Sequence, residues 1–203
     1  MTDRHRAAIQ AAFAAASVPL APEPLDALAR WAELLETWNR RIALTTIVEP
    51  RAIAERHLLD ASLVAIDPAP GERLVDVGAG AGVPGLVVAV LRPELQVTLV
   101  ERVAKKVAFL RAAVDALSLA NVTVQRTDLA ALPVGTFDRA VSRALMAPAE
   151  WLAAARPLVR SGGHVGIMVA RDSDLPALEF AQIRRMILPS DRALRLLAWV
   201  RVV

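Results

Sequence analysis

The stretch Val75-Asp76-Val77-Gly78-Ala79-Gly80-Ala81-Gly82-Val83-Pro84-Gly85 sets a carboxylate and four glycines directly after a short apolar run. Glycines at this density let the backbone come very close to a ligand. Gly80 to Gly85 satisfies G-x-G-x-x-G, a spacing used around dinucleotides, but that match alone leaves the ligand open. A phosphate-gripping P-loop is disfavoured, because no Gly-Lys-Ser/Thr follows. Glu101 stands 25 positions after Asp76 and suits the hydroxyls of a ribose. Nicotinamide enzymes and S-adenosylmethionine enzymes share that arrangement. Asp76 helps separate them. Beside a pyrophosphate its carboxylate crowds like charge, whereas beside an ammonium or sulfonium group it attracts. The order D-x-G-x-G-x-G therefore favours S-adenosyl-L-methionine, with a dinucleotide and purely structural glycines as the alternatives.

The elements that must carry these residues follow from periodicity. Residues 1–70 read as helical. "DRHRAAIQAAFAAA" is alanine-rich, and the prolines of "SVPLAPEP" break it. Leu25, Leu28, Trp31, Leu34, Leu35 and Trp38 recur at spacings of three and four, and Pro50 opens a further helix whose stripe includes His57. From Leu74 the period changes. "RLVDVG", "QVTLVE", "NVTVQ", the start of "TFDRAVSRAL" and "GGHVGIMVA" read as strands separated by helical stretches. "FAQIRRMIL" and "RALRLLAWVRVV" read as a closing antiparallel hairpin around a "PSD" turn. The expected fold is α/β: a doubly wound, Rossmann-like, seven-stranded sheet, with a helical cap over 1–70 and the sheet domain over 71–203 in one compact unit.

Composition sets the outer limits. The chain has 203 residues, 55% of them hydrophobic, and no cysteine. Disulfides, thiolate catalysis and Cys-ligated zinc are excluded, and three unpaired histidines argue against a metal site. The N-terminal "AAIQAAFAAA" resembles a signal peptide only loosely, since Gln10 interrupts it, and a cytoplasmic location is expected. Net charge is +3, but its sign is uneven. Arg184, Arg185, Arg192, Arg195 and Arg201 crowd the last twenty residues against Asp191 alone. Such a face suits a polyanion, though a solvated arginine surface explains charge alone equally well.

Several stretches together resemble a known family. Asp76 to Gly85, "WNRRIALT" (Trp38 to Thr45), "RHLLDA" (Arg56 to Ala61), "NVTVQRTDL" and "FDRAVSRAL" are similar to motifs of the RsmG (GidB) family of bacterial small-subunit rRNA guanine-N7 methyltransferases. The resemblance runs from about Trp31 to Gly163. It implies methylation of guanine N7 in the 530 loop of 16S rRNA near the decoding centre, with the 30S subunit or its precursor as partner and S-adenosyl-L-methionine as cofactor. By the same resemblance Gly78, Gly80 and Val83 line the methionine and ribose of the cofactor, and Glu101 binds the ribose hydroxyls. Thr127 and Asp128 flank the adenine. Arg143 sits at the pocket mouth, a candidate for positioning substrate. Two positions depart from the family pattern. Ala43 stands where an asparagine is usual, and Arg171 falls near the place of a frequent lysine.

Each of these residues has a plainer reading as well. Asp128 suits a helix cap, Arg143 a surface ion pair, His57 a packed core histidine, and Trp31 and Trp38 the core. Lys105 and Lys106 begin a helix near Glu101 and are candidates for RNA phosphate. Two other functions compete: a NAD(P)-dependent oxidoreductase, which lacks a Tyr-x-x-x-Lys pair because the chain has no tyrosine, and a non-catalytic rRNA-binding or assembly protein.

Overall fold

Burial patterns along the strands show how the sheet is covered. β1 (Arg73–Val77) is buried from its second residue onward, and β4 (Phe137–Val141) is buried throughout, as strands covered on both faces must be. β3 (Val122–Gln125) instead alternates valine with Thr123 and Gln125, and its exposure alternates in step. β2 (Gln96–Val100), β5 (Val159–Val169), β6 (Gln182–Ile187) and β7 (Leu194–Arg201) complete the set. The computed structural model describes residues 2–203 and joins the strands in the order β3-β2-β1-β4-β5-β7-β6. The first five are parallel neighbours, and β7 lies antiparallel between β5 and β6. This is the expected seven-stranded α/β sheet with its closing hairpin.

The helices follow the sequence reading with one informative difference. α1 spans Thr2–Ala15 and α2 spans Pro22–Asn39. The prolines expected only as breakers lie partly inside α2: Pro22 and Pro24 occupy its first turn, where a missing N–H costs nothing. α3, over 50–65, starts at Pro50 and widens into a π turn at Ala54–Leu59 that contains His57. α4 (Gly85–Leu91) and α5 (Ala104–Ala116) follow β1 and β2, and α6 (Pro148–Ala155) follows β4. Between β3 and β4 there is only a short 3₁₀ turn, Leu129–Ala131, which leaves Thr123 and Gln125 uncovered. None of the described helices is long and apolar enough to cross a membrane.

Two apolar clusters occupy the two sheet faces. Phe13, Trp31, Leu58, Leu74, Leu99 and Trp199 belong to one, so α1 to α3 share a core with the sheet. Val75, Val77, Trp151 and Ile167 belong to the other, under α6. Polar contacts also tie the helical segment to the far strands. Asp67, just past α3, accepts hydrogen bonds from Trp199 Nε1 at 2.8 Å and from Arg184. Asp67→Ala leaves the indole N–H unsatisfied and Arg184 without its partner. The expected cost is about 2 kcal/mol, a fall of roughly 4–8 °C in melting temperature. A melting curve superimposable on that of the unsubstituted protein contradicts this.

Candidate active site

The parallel strands bring the sequence-predicted residues to one edge. Asp76 pairs in register with Leu99 on one side and Val141 on the other. The chain therefore leaves β1, β2 and β4 at the same level, and Gly78, Glu101 and Arg143 emerge together. Strand order reverses between β1 and β4, where open α/β sheets form their ligand crevice. Ser142 Oγ donates to Val77 O at 2.8 Å and fastens the two strand ends there.

The glycine turn is held from four directions. Gly78 N and Ala79 N both donate to Val100 O, at 2.9 and 3.0 Å. Trp31 Nε1 donates to Ala81 O at 3.1 Å, so the core tryptophan of α2 also anchors the turn. Glu101 accepts from Gly80 N at 3.1 Å and from Val103 N at 2.9 Å. Asp76 Oδ2 accepts from Gly85 N at 2.8 Å. Glycine is needed at 85 because an added Cβ meets Asp76 Oδ2 at 2.8 Å and Leu99 Cδ2 at 2.3 Å. At 82 it is favoured because φ is +84° and an added Cβ meets Leu86 Cδ1 at 2.2 Å.

Asp76 sits one layer behind the position that sequence reasoning gave it. It is fully buried beneath the turn, and its Oδ1 has no hydrogen-bond partner. Burial pushes its carboxyl up to about 7, against the Gly85 N–H and Arg143, which favour the anion; Glu101 adds to the upward push.

In front of the turn lies a cavity of ≈ 460 Å³, lined by Val77, Gly78, Glu101, Thr127, Asp128 and Arg143 among others. Its size suits a small-molecule ligand. Arg102 and Lys106 also reach it. Val83 is buried in the core, and Gly80 meets Glu101 through its N–H. Asp128 precedes the 3₁₀ turn but makes no side-chain cap bond, so its plainer reading is not realised. Two of the five arginines in the last twenty residues, and Arg171 before them, are paired with carboxylates. Arg184 binds Asp67, Arg185 binds Asp172 and Arg171 binds Asp174. These pairs weigh against the expected phosphate contacts of Arg184 and Arg185.

A second, more open cavity adjoins the first, and both share Arg143 and Ala144. Thr45, Arg56, His57, Asp60 and Arg195 contribute to its wall. Arg143 donates to Arg56 O at 2.8 Å and bonds His57 Nδ1 at 2.9 Å. Burial, then the Arg143 charge, push His57 down to about 3, so the ring is neutral at physiological pH. Its Nε2 meets Thr45 Oγ1 at 3.0 Å. Asn39, the last residue of α2, clamps the loop that follows it, accepting from Leu44 N and Thr45 N and donating to Thr45 O. Sequence reasoning quoted Asn39, Thr45 and Asp60 within motifs but gave them no role. The available signal was polar residues kept inside otherwise apolar stretches.

Asp76 makes a clear prediction. Its carboxyl holds a proton more tightly when folded, rising from 3.8 to about 7. Its contribution to stability is complete below about pH 4 and is lost as pH rises through about 7. Asp76→Asn removes that dependence. Between pH 4.5 and 7.5, urea unfolding should show the variant losing about 3 kcal/mol less stability than the parent. Parallel pH profiles contradict the assignment.

Comparison with known proteins agrees with this geometry. The family model described as rRNA small subunit methyltransferase G matches residues 25–182. A ribosomal RNA small subunit methyltransferase G from Anaeromyxobacter sp. is 35% identical over 98% of both chains. That of Chromohalobacter salexigens is 41% identical over 83% of both. Among solved structures, M. jannaschii TYW2 in complex with AdoMet superposes with a TM-score of 0.59 at 14% identity, over 81% of this chain and 80% of that one. This last likeness concerns the fold. The oxidoreductase and non-catalytic alternatives fall with these matches. The chain belongs to the rRNA small subunit methyltransferase G family, as an enzyme that methylates ribosomal RNA with S-adenosyl-L-methionine as its cofactor.

Proposed function

We propose that this enzyme methylates N7 of a guanine in the 530 loop of 16S rRNA, near the decoding centre, acting on the 30S subunit or its precursor in the cytoplasm. The observation that carries this reading is the pair of adjoining cavities that meet at Arg143, one suited to a cofactor and one open to a larger substrate. The sequence motifs shared with the family support the choice of nucleobase and atom.

The first cavity fits the cofactor chemically. Glu101 offers carboxylate lone pairs to a diol, beyond the two N–H groups it already accepts. The unpartnered Oδ1 of Asp76 sits under the turn, where a nearby cation relieves the cost of its charge. Gly78 faces the methionine and ribose end, Gly80 and Val83 support the turn from behind the cavity wall, and Thr127 and Asp128 flank the adenine. When bound, S-adenosyl-L-methionine supplies an electrophilic methyl group on a sulfonium sulfur.

Guanine N7 carries a lone pair and no proton, so the enzyme needs no general base. Its residues have to align, hold and exclude water. Proximity and orientation of this kind supply about 7–11 kcal/mol. Arg143 stands where both ligands meet and positions the base against the cofactor side. Its own position is fixed by Arg56 O and His57. Arg102 and Lys106, at the cofactor cavity, are available to RNA phosphate.

Incubation with labelled cofactor and 30S subunits or 16S rRNA should place label on one guanine, at N7, as read by borohydride–aniline cleavage. Label on another base or atom contradicts the proposal. Glu101→Ala should weaken cofactor affinity roughly 10–100-fold, while the rate at saturating ligands falls far less. A million-fold fall in that rate contradicts an enzyme that works by alignment.

A further inference from the structure

The hydrogen bonds around the second cavity fix the direction of every proton in a short chain. A guanidinium only donates, so His57 Nδ1 accepts from Arg143 Nη2. His57 is neutral, so its Nε2 carries the hydrogen and donates to Thr45 Oγ1. The same oxygen accepts from Ile47 N at 3.0 Å. Both lone pairs of the hydroxyl are then filled, and its own hydrogen is left to donate. Thr45 lines the cavity, so that donor is offered to whatever occupies it.

Asp60 contributes the opposite character to the same wall. Its side chain is 10% exposed, and Arg143 Nη1 approaches its Oδ2 at 3.5 Å, longer than a hydrogen bond. Burial raises its pKa, and Arg143 and Arg195 oppose that rise. The cavity thus presents a fixed donor and an under-satisfied buried acceptor, with Arg195 nearby for a ribose–phosphate backbone.

We propose that Thr45 and Asp60 determine which base the enzyme accepts, with Thr45 donating to O6 of guanine and Asp60 accepting from its N1–H and 2-amino group. This rests on the guanine reading above and assigns it to particular side chains. Guanine alone among the four bases shows an acceptor followed by two donors along that edge. Adenine turns a donor toward Thr45 and an acceptor toward the carboxylate. Uracil and cytosine each set a carbonyl acceptor against Asp60. Holding guanine by this edge leaves N7, on the imidazole ring away from N1 and the 2-amino group, unencumbered.

The test uses the full chain and 16S rRNA, assembled into 30S subunits, with the target guanosine left in place or replaced by inosine, which lacks the 2-amino group. The parent enzyme should prefer guanosine in kcat/KM by roughly 10–100-fold. Asp60→Asn should lose most of its rate on guanosine and little on inosine, so that the ratio collapses toward one. Its cofactor affinity by calorimetry should stay within about twofold of the parent's, as differential binding at a separate cavity requires. If Asp60→Asn does not fold, Thr45 decides. Thr45→Val should lose the preference for guanosine over 6-thioguanosine, and Thr45→Ser should keep it. An unchanged guanosine-to-inosine ratio in a folded Asp60→Asn overturns the proposal, as does an unchanged 6-thioguanosine preference in Thr45→Val. A parent enzyme that labels no guanine N7 overturns the reaction reading instead, and this inference with it.

Discussion

The hydrogen bond from Gly85 N–H to the buried carboxylate of Asp76 is the constraint on which the rest of the site depends. It joins the end of β1 to the start of α4 across the glycine turn, and so sets the path of the backbone between them. A buried carboxylate with a single N–H partner is costly. Its second oxygen is left without a partner. The turn tolerates this because it is held independently by Val100 O, Glu101 and Trp31. A carboxyl that a nearby positive charge draws into its anionic form would favour a cationic ligand above the turn without placing a side chain in its way.

The two sides of the site come from different parts of the chain. Parallel registry brings Gly78, Glu101 and Arg143 to one level, where they line the first cavity. The helical segment before the sheet supplies the other side, through the Asn39-clamped loop and the π turn that carries His57. Arg143, just past β4, bonds Arg56 O and His57 on the π turn, and the two cavities share it as a common wall. Coupling of this kind fits an enzyme that must align two ligands rather than activate a nucleophile.

Much of this was legible in the amino-acid sequence, and the reasons are physical. Strands with continuous burial and helices with a three-to-four stripe leave strong periodic signals, so the seven strands and the closing hairpin could be read directly. The place of Gly78, Glu101, Thr127 and Asp128 at strand ends followed from the same pattern. The depth of Asp76 did not, because a residue at a strand's end faces either ligand or core, and only packing against α4 decides which. The engagement of Arg184 with Asp67 was equally hidden, since the two lie 117 residues apart. The relay from Arg143 through His57 to Thr45 joins three segments that no local spacing connects.

The ionisation of Asp76 decides the charge that the glycine turn presents to a ligand. A carbon-13 titration of its carboxyl, in the free protein and with S-adenosyl-L-methionine bound, measures it. The expected result is a midpoint at about 7 in the free protein, moving downward when the cationic ligand binds above the turn. A midpoint near 4 in both states, the ordinary aspartate value, contradicts the claim that burial under the glycine turn holds back this carboxyl's charge until a positively charged methyl donor draws it out.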